Sequence, residues 1–246
     1  MTTAVIVQAR VGSSRLPGKV VLDLGGRPVL DHVLRRCRAI PGADVVVCAI
    51  ADEENTPLPS IAETCGVEVF VGPVRDVLAR YAGAAHRVKA DVVVRITSDC
   101  PLIDPIVCGQ VIRMLTESGA EYASNIQPRT YPKGLDCEVF TYALLERANA
   151  AATEVSDREH VTPWMLRVPA LRTANLSSTD ARLAEQRWTL DYPEDLEFLR
   201  KVCALLPSRM AHFDEIAALL RTRRDLLAIN AQVSDTPSNK TTVAKV

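Results

Sequence analysis

Residues 4–19 read AVIVQARVGSSRLPGK, a strand-like apolar run at 4–9 followed directly by a loop of glycines, serines and cations. Two further valine-rich runs occur at 43–50 (ADVVVCAI) and 91–97 (DVVVRIT), and a shorter one at 67–71 (VEVFV). Continuous apolar runs separated by amphipathic helical patterns are typical of parallel strands that are covered on both faces. We therefore predict an α/β fold with a mostly parallel sheet and helices on both faces.

Helical patterns alternate with these strands over the first half of the chain, at 28–40, 57–66, 75–88 and 104–119. The rhythm then changes, because residues 120–180 mix strand-like and helical segments and indicate an α+β excursion. The elements predicted after residue 120 are strands at 121–126, 135–140 and 187–190, and helices at 141–152, 157–167, 193–205 and 213–229. The polar residues 231–246 are predicted to form a disordered tail.

Composition limits the function classes. The chain has 246 residues and a formal net charge of −1, which gives no general electrostatic attraction for nucleic acid or membrane surfaces. Aromatic residues make up only 4%, which argues against a stacking surface for single strands. The seven cysteines are scattered without a C-x-x-C pair, so we expect no zinc site and no disulfide framework. We expect a cytoplasmic protein without a signal peptide or membrane span.

The loop after the first strand is the best candidate for anion binding. It lies where doubly wound sheets bind ligands, beyond the carboxyl ends of the strands. It matches neither G-x-G-x-x-G nor G-x-x-x-x-G-K-[ST], so a dinucleotide or P-loop site loses support. A solvated basic loop is the alternative interpretation. The residues that would approach and bind phosphate oxygens are Arg10, Gly12, Ser13, Ser14, Arg15, Gly18 and Lys19.

Two carboxylates are candidates for the other half of such a site. Asp99 follows an inner strand in RITSDCPLIDP (95–105), and Asp191 follows the predicted strand in RWTLDYPEDLEFL (187–199). Together with the cationic loop, two carboxylates from distant strands predict a metal–polyphosphate site that would hold Mg²⁺. A turn or cap before Pro101 is the alternative role for Asp99. Asp104 is predicted to be an N-cap, and Glu194 and Asp195 to be acidic residues that favour a helix start.

Five motifs together resemble the cytidylyltransferase family, which includes synthetases of CMP-activated sugar acids. They are QARVGSSRLPGK, RITSDCPLIDP, YPKGLDCEVF, SDREHVTP and WTLDYPEDLE. The resemblance covers roughly residues 4–229 and is greatest to the spore coat polysaccharide biosynthesis branch. It implies a GT-A-like nucleotidyltransferase fold for a single domain at 1–230, with residues 120–180 serving acceptor binding and dimerisation. It also implies a homodimer.

The resemblance assigns roles to the motif residues. It implies transfer of CMP from CTP with release of pyrophosphate, and Mg²⁺ held by Asp99 and Asp191. Arg15 and Lys19 would be catalytic by stabilising the leaving pyrophosphate. The nucleotide-binding residues implied are Arg10, Gly12, Ser13, Arg15, Lys19, Thr97 and Ser98.

The acceptor pocket is expected in the middle segment. On a strand at 135–140, Asp136 and Glu138 would share a face and could bind hydroxyls beside Lys133, although a solvent-facing polar stripe is the alternative. Arg158 and His160, near a predicted helix start, could bind an acceptor carboxylate or phosphate. The acceptor is a small acidic molecule, with a nine-carbon sugar acid, an octulosonate and a phosphate ester all open.

Two other functions remain open from the sequence. A GT-A glycosyltransferase would use a sugar nucleotide, but such enzymes usually carry a D-x-D metal motif, whereas Asp99 is followed by Cys100 and Pro101. A non-catalytic nucleotide-binding module would have little use for two separated carboxylates. If transfer is the function, chemistry is in-line attack of an acceptor oxygen on the α-phosphorus, governed by positioning and charge neutralisation.

Overall fold

Seven strands form one sheet within the residues described by the computed structural model, 1–53 and 56–233. In chain order they are β1 (Thr3–Ala9), β2 (Val45–Ala51), β3 (Glu68–Gly72), β4 (Val92–Thr97), β5 (Tyr122–Ser124), β6 (Glu138–Thr141) and β7 (Thr173–Asn175). Their spatial order is β3-β2-β1-β4-β6-β5-β7. All pairs are parallel except those that β6 makes with β4 and β5. The predicted mostly parallel sheet is confirmed.

The helices lie between and after these strands, and those of the first half follow the predicted alternation. They are α1 (Val29–Cys37), α2 (Leu58–Thr64), α3 (Val77–Arg87), α4 (Pro105–Ser118), α5 (Tyr142–Ala151), α6 (Val155–His160), α7 (Pro163–Leu166), α8 (Pro193–Leu205), α9 (Phe213–Thr222) and α10 (Arg224–Leu227). Two short 3-10 turns lie at Lys19–Val21 and Ala181–Glu185.

Alternate residues of the inner strands bury into two separate cores, because successive side chains of a strand point to opposite faces. Val5 and Val7 of β1 join a core with α1, α2 and α4. Ala4 and Ile6 join the opposite core with α3 and α5. A third core around Trp188 packs α8 and α9 beside the sheet. Helices therefore cover both faces of the sheet, as predicted.

The register of β1 and β4 brings the two candidate motifs together. Gln8 pairs with Thr97 near the carboxyl ends of these parallel neighbours. The loop that follows β1 and the turn that follows β4 therefore leave the sheet side by side. Asp104 caps α4, since its side chain accepts a hydrogen bond from Val107 N at 2.8 Å, in agreement with the sequence prediction.

Three predicted elements differ from the structure. Residues 187–190 form no strand, since Arg187 makes only an isolated bridge to Lys133. The helix predicted at 157–167 is broken at Val161, whose φ of 73° is outside the helical range. The helix predicted at 213–229 is broken at Arg223, whose φ of −112° and ψ of 62° are not helical.

The last part of the chain is described only through residue 233, so the tail predicted at 231–246 lies mostly outside the described residues. Residues 231–233 follow α10 as a turn. Throughout the described ranges, no helix combines the length and the apolar character needed to cross a membrane.

Candidate active site

Two hydrogen bonds of the Val11 backbone hold the cationic loop in place. Val11 N donates to Glu53 Oε2 at 2.9 Å, and Val11 O accepts from Gly18 N at 3.2 Å. Gly18 has a φ of 67°, a left-handed conformation that glycine adopts without strain. A Cβ on Gly12 would lie 3.2 Å from Glu53 Oε1, so the loop approaches this carboxylate closely. These contacts lead the chain into the 3-10 turn that carries Lys19.

Lys19 lies between the two carboxylates that the sequence singled out. Its Nζ donates to Asp99 Oδ2 at 2.7 Å and to Asp191 Oδ1 at 2.8 Å. The side chain of Lys19 is 14% exposed, and that of Asp191 is 6% exposed. Arg15 Nη2 donates to the same Asp191 oxygen at 2.9 Å. The loop after β1, the turn after β4 and the segment before α8 therefore meet at one charged cluster.

Asp191 is positioned by a buried network of its own. Arg187 Nη2 donates to Asp191 Oδ2 at 2.9 Å and to Asp195 Oδ2 at 3.0 Å. Asp195 is completely buried and also accepts from the backbone N–H of Asp191 and from Asn230 Nδ2, both at 2.9 Å. From its place in the sequence, Asp195 was expected only to favour the start of a helix. In the structure this carboxylate also holds the backbone of Asp191.

The segment that carries Asp191 is docked onto the end of β4 by its backbone. Leu190 N donates to Asp99 O at 2.9 Å, and Thr189 Oγ1 donates to the same oxygen at 3.1 Å. On its other side, Trp188 N donates to Lys133 O at 2.7 Å. The two carboxylates are therefore brought together by tertiary hydrogen bonds rather than by neighbouring strands.

The charged cluster shifts the pKa values of its members. Burial by itself would raise the pKa of Asp99, but the Lys19 ammonium more than offsets this and holds that pKa below its usual range. Burial would likewise raise the pKa of Asp191, yet Lys19 and then Arg15 lower it well below the usual range. Burial opposes the charge of Lys19, whereas Asp99 and Asp191 raise its pKa overall. Both carboxylates are therefore ionised and Lys19 is protonated at neutral pH.

The donor set fits a divalent cation that arrives with a phosphate ligand. One ammonium already binds both Asp99 and Asp191, so a cation can bridge the two carboxylates. Across residues 1–53 and 56–233, no group of three or more His, Cys, Asp or Glu side chains is suited to hold a metal. Mg²⁺ usually takes one or two protein carboxylates and completes its octahedral shell with water and substrate phosphates. Two carboxylates beside a cationic loop satisfy that requirement.

The cluster forms one end of an open cleft at the carboxyl edge of the sheet. Arg80 of α3, which the sequence analysis did not identify, also lines this cleft and is 1% exposed. Its Nη1 donates to Pro73 O at 3.1 Å, and burial lowers its pKa. An arginine inside a helix pattern carries no local signal of this position. The predicted residues that line the cleft are Arg10, Gly12, Ser13, Ser14, Arg15, Lys19, Thr97, Ser98, Asp99, His160 and Asp191.

The structure places only some of the predicted acceptor residues at the cleft. His160 lines the cleft from the end of α6, beside Glu159, whose Oε1 lies 3.8 Å from Arg10 Nη2. Lys133 Nζ lies 3.8 Å from Asp191 Oδ2 and therefore borders the charged cluster. Asp136 accepts two hydrogen bonds from Arg129, at 2.6 and 2.7 Å. Of these side chains, His160 and Lys133 are within or beside the site.

Glu138 and Arg158 do not line the cleft and pair with other side chains. Glu138 is 3% exposed and accepts hydrogen bonds from Tyr122 OH at 2.6 Å and Thr162 Oγ1 at 2.8 Å, while it also pairs with Arg95. The structure does not bring it to the cleft, because β6 begins at Glu138 and packs between β4 and β5. Arg158 Nε donates to both carboxylate oxygens of Asp76 at 3.0 Å.

Known proteins are similar to this chain in sequence and in fold. A sequence model of the cytidylyltransferase family matches residues 4–233. The spore coat polysaccharide biosynthesis protein SpsF of Bacillus subtilis is 33% identical, over 79% of this chain and 83% of SpsF. A 3-deoxy-manno-octulosonate cytidylyltransferase of Anaeromyxobacter dehalogenans is 34% identical, over 80% of this chain and 83% of its own.

A solved structure of a cytidylyltransferase is similar to this chain in fold. The cytidylyltransferase from Leptospira borgpetersenii superposes with a TM-score of 0.88 at 28% identity, over 96% of this chain and all of that protein. The family match covers nearly all of the described residues, including both carboxylates and the cationic loop. This chain belongs to the cytidylyltransferase family and is a nucleotidyltransferase.

Proposed function

We propose that this enzyme transfers CMP from CTP to an acidic sugar or a phosphorylated acceptor and releases pyrophosphate. The observation that carries the proposal is the charged cluster, in which Lys19 contacts Asp99 and Asp191 within 2.8 Å beside Arg15. Such a combination of carboxylates and cations suits a nucleoside triphosphate with a divalent metal better than a neutral ligand. Relatives named as 3-deoxy-manno-octulosonate cytidylyltransferases support CTP as the donor.

In the proposed reaction an acceptor oxygen attacks the α-phosphorus of CTP. The bond from that phosphorus to the bridging oxygen breaks, and pyrophosphate leaves with the electron pair. Arg15 and Lys19 would stabilise the charge on the leaving pyrophosphate. Arg10, Ser13 and the backbone at Gly12 would contact the triphosphate or ribose, and Arg80 would add a buried cation on the same wall.

Asp99 and Asp191 would hold Mg²⁺, which when bound neutralises charge on phosphate oxygens. The carboxylates themselves orient the cation, because Asp191 is braced by Arg187 and the backbone of Asp99 is bonded to Leu190. Thr97 and Ser98 at the end of β4 would face the nucleoside. A phosphate acceptor would attack through an ionised oxygen that carries no proton, whereas an acidic hydroxyl would lose its proton to water as the new bond forms.

The acceptor would enter from the side of residues 120–180, where His160, Glu159 and Lys133 border the cleft. Their mixed charge suits an acidic molecule with several hydroxyl groups. We further propose that residues 1–230 act as one catalytic unit, that residues 120–180 also join two copies in a homodimer, and that the reaction occurs in the cytoplasm. SpsF, by its name a protein of spore coat polysaccharide biosynthesis, supports a role in making surface polysaccharide or glycoconjugate.

Two measurements test the proposal. Thermal unfolding with Mg²⁺ and each of CTP, UTP, ATP, GTP and a UDP-sugar should show greater stabilisation by CTP than by the others. A pyrophosphate-release screen with CTP should then give turnover with acidic sugars or phosphate esters. A preference for the UDP-sugar would instead support a glycosyltransferase, and stabilisation by CTP without turnover on any acceptor would support a binding module.

The variants Asp99→Asn and Asp191→Asn should abolish metal-dependent pyrophosphate release, because each removes one of the two carboxylates. Asp225→Asn is the matched control, since its carboxylate is 62% exposed and pairs with Arg223 away from the cleft. Pyrophosphate release by either site variant at the rate of Asp225→Asn would contradict the metal assignment.

A further inference from the structure

The ammonium of Lys19 lies between the two carboxylates that the proposed function assigns to a metal ion. Asp99 Oδ2 at 2.7 Å and Asp191 Oδ1 at 2.8 Å both contact Nζ, so one position between the carboxylates is held by a cation of the protein itself. A divalent ion bound by the same two oxygens would have to come close to Nζ. A divalent ion and the Lys19 ammonium would repel each other strongly at close range in a partly buried site.

Lys19 differs from the other cations around Asp191. Arg15 donates to the same Asp191 oxygen as Lys19, but of the two carboxylates it contacts only Asp191, and 46% of its side chain is exposed. Lys19 contacts both carboxylates and is 14% exposed. Arg187 is directed to the opposite oxygen of Asp191 and is also held by Asp195. Removal of the ammonium is therefore the change needed to open the position between the two carboxylates.

A triphosphate can supply the new partner that Lys19 needs. Lys19 begins the 3-10 turn after Gly18 and lines the same cleft as Arg15 and Ser13. Its four-carbon side chain can move from the carboxylates to phosphate oxygens without a change in the fold. The carboxylates are then free for a metal, and the ammonium is still paired.

We propose that Lys19 keeps the metal position closed in the nucleotide-free enzyme and releases it when the triphosphate binds, so that metal and nucleotide bind together. The inference rests on the proposed function, because the triphosphate is what draws Lys19 away. By linkage, the nucleotide strengthens metal binding by the same factor as the metal strengthens nucleotide binding. The nucleotide-free enzyme is thereby protected from unproductive metal binding.

The test measures binding of Mn²⁺ alone, by electron paramagnetic resonance of the free ion, to the full chain without nucleotide. We expect Lys19→Met to bind Mn²⁺ at least about tenfold more tightly than the unmodified enzyme, a difference of about 1.4 kcal/mol. Arg15→Met is the matched control, because it also removes one positive charge beside Asp191 but leaves the bridging ammonium. Its gain should be clearly smaller. Thermal unfolding checks that each variant is folded, and Lys19→Gln replaces Lys19→Met if the latter fails to fold.

The second measurement repeats the titration with a CTP analogue that has a methylene bridge between the α- and β-phosphates. The analogue should raise the Mn²⁺ affinity of the unmodified enzyme by about tenfold or more, and that of Lys19→Met by much less. A folded Lys19 variant with unchanged Mn²⁺ affinity, or a gain equal to that of Arg15→Met, overturns the inference. Failure of the analogue to bind contradicts the proposed function instead, and the nucleotide-free comparison still decides whether Lys19 occupies the metal position.

Discussion

Replacement of Gly134 by alanine should destabilise the enzyme and disturb the site without changing any charged side chain. A Cβ at Gly134 would lie 2.6 Å from Thr189 N and from the carbonyl carbon of Trp188, and the φ of 111° is one that L-residues rarely adopt. The backbone strain costs about 1–3 kcal/mol. The clash with backbone atoms costs about 1–3 kcal/mol more, because the contacted atoms cannot rotate away. We expect a loss of about 2–6 kcal/mol in the free energy of unfolding.

Urea denaturation followed by circular dichroism measures this loss. Gly119→Ala is the matched control, since Gly119 has a φ of 68° but no atom within 4 Å of its Cβ position. It should lose only about 1–2 kcal/mol, the cost of the left-handed conformation alone. Because residues 188–189 lead to Asp191, Gly134→Ala should also reduce stabilisation by CTP and Mg²⁺, whereas Gly119→Ala should not. Equal losses of stability in the two variants would refute the close approach of these segments.

Two further predictions concern buried groups. Asp195→Ala should lower the free energy of unfolding by about 3–5 kcal/mol, since it removes a completely buried carboxylate that pairs with Arg187 and accepts from Asp191 N and Asn230 Nδ2. Urea denaturation checks this, and a loss no greater than that of Asp225→Ala would contradict it. Burial raises the pKa of the Cys48 thiol from 9.0 to about 12, so its contribution to stability is complete below pH 9.0 and is lost as pH rises toward 12. Between pH 9.0 and about 12, Cys48 should lower the free energy of unfolding by about 1.4 kcal/mol per pH unit. In urea denaturation, the unfolding free energy of the Cys48→Ala variant should depend correspondingly less on pH.

The order of the inner strands and helices was predictable because each depends on a local pattern. The valine-rich runs at 43–50 and 91–97 became β2 and β4, since apolar side chains on both sides of a strand require cover on both faces. The strand predicted at 187–190 did not form. Its apolar residues Trp188 and Leu190 are buried in the core of α8 and α9, and backbone hydrogen bonding there is to the end of β4 and to Lys133.

The candidate site was predictable in part. The loop at 10–19 and Asp99 were identified because strand ends at one edge of a parallel sheet lie close together. The same argument placed Asp191 after a strand that does not form, and tertiary hydrogen bonds bring it to the site instead. In the middle segment, strand alternation left open whether Glu138 faces a cleft or the solvent, and in the structure it is buried. Its actual partners, Arg95 and Tyr122, lie on neighbouring strands, and a strand's own sequence does not reveal which polar residues oppose it.

Hydrophobic periodicity and charge are local properties, so the α/β sheet, the cationic loop and the carboxylate of Asp99 at the carboxyl edge could be predicted from the sequence. The packing of distant segments places Lys19 between Asp99 and Asp191, lets Arg187 and Asp195 brace Asp191, and brings Arg80 into the cleft. Lys19 and Asp191 are 172 residues apart in the chain. The partner of a charged side chain over such a separation depends on how the elements pack, which no local pattern specifies.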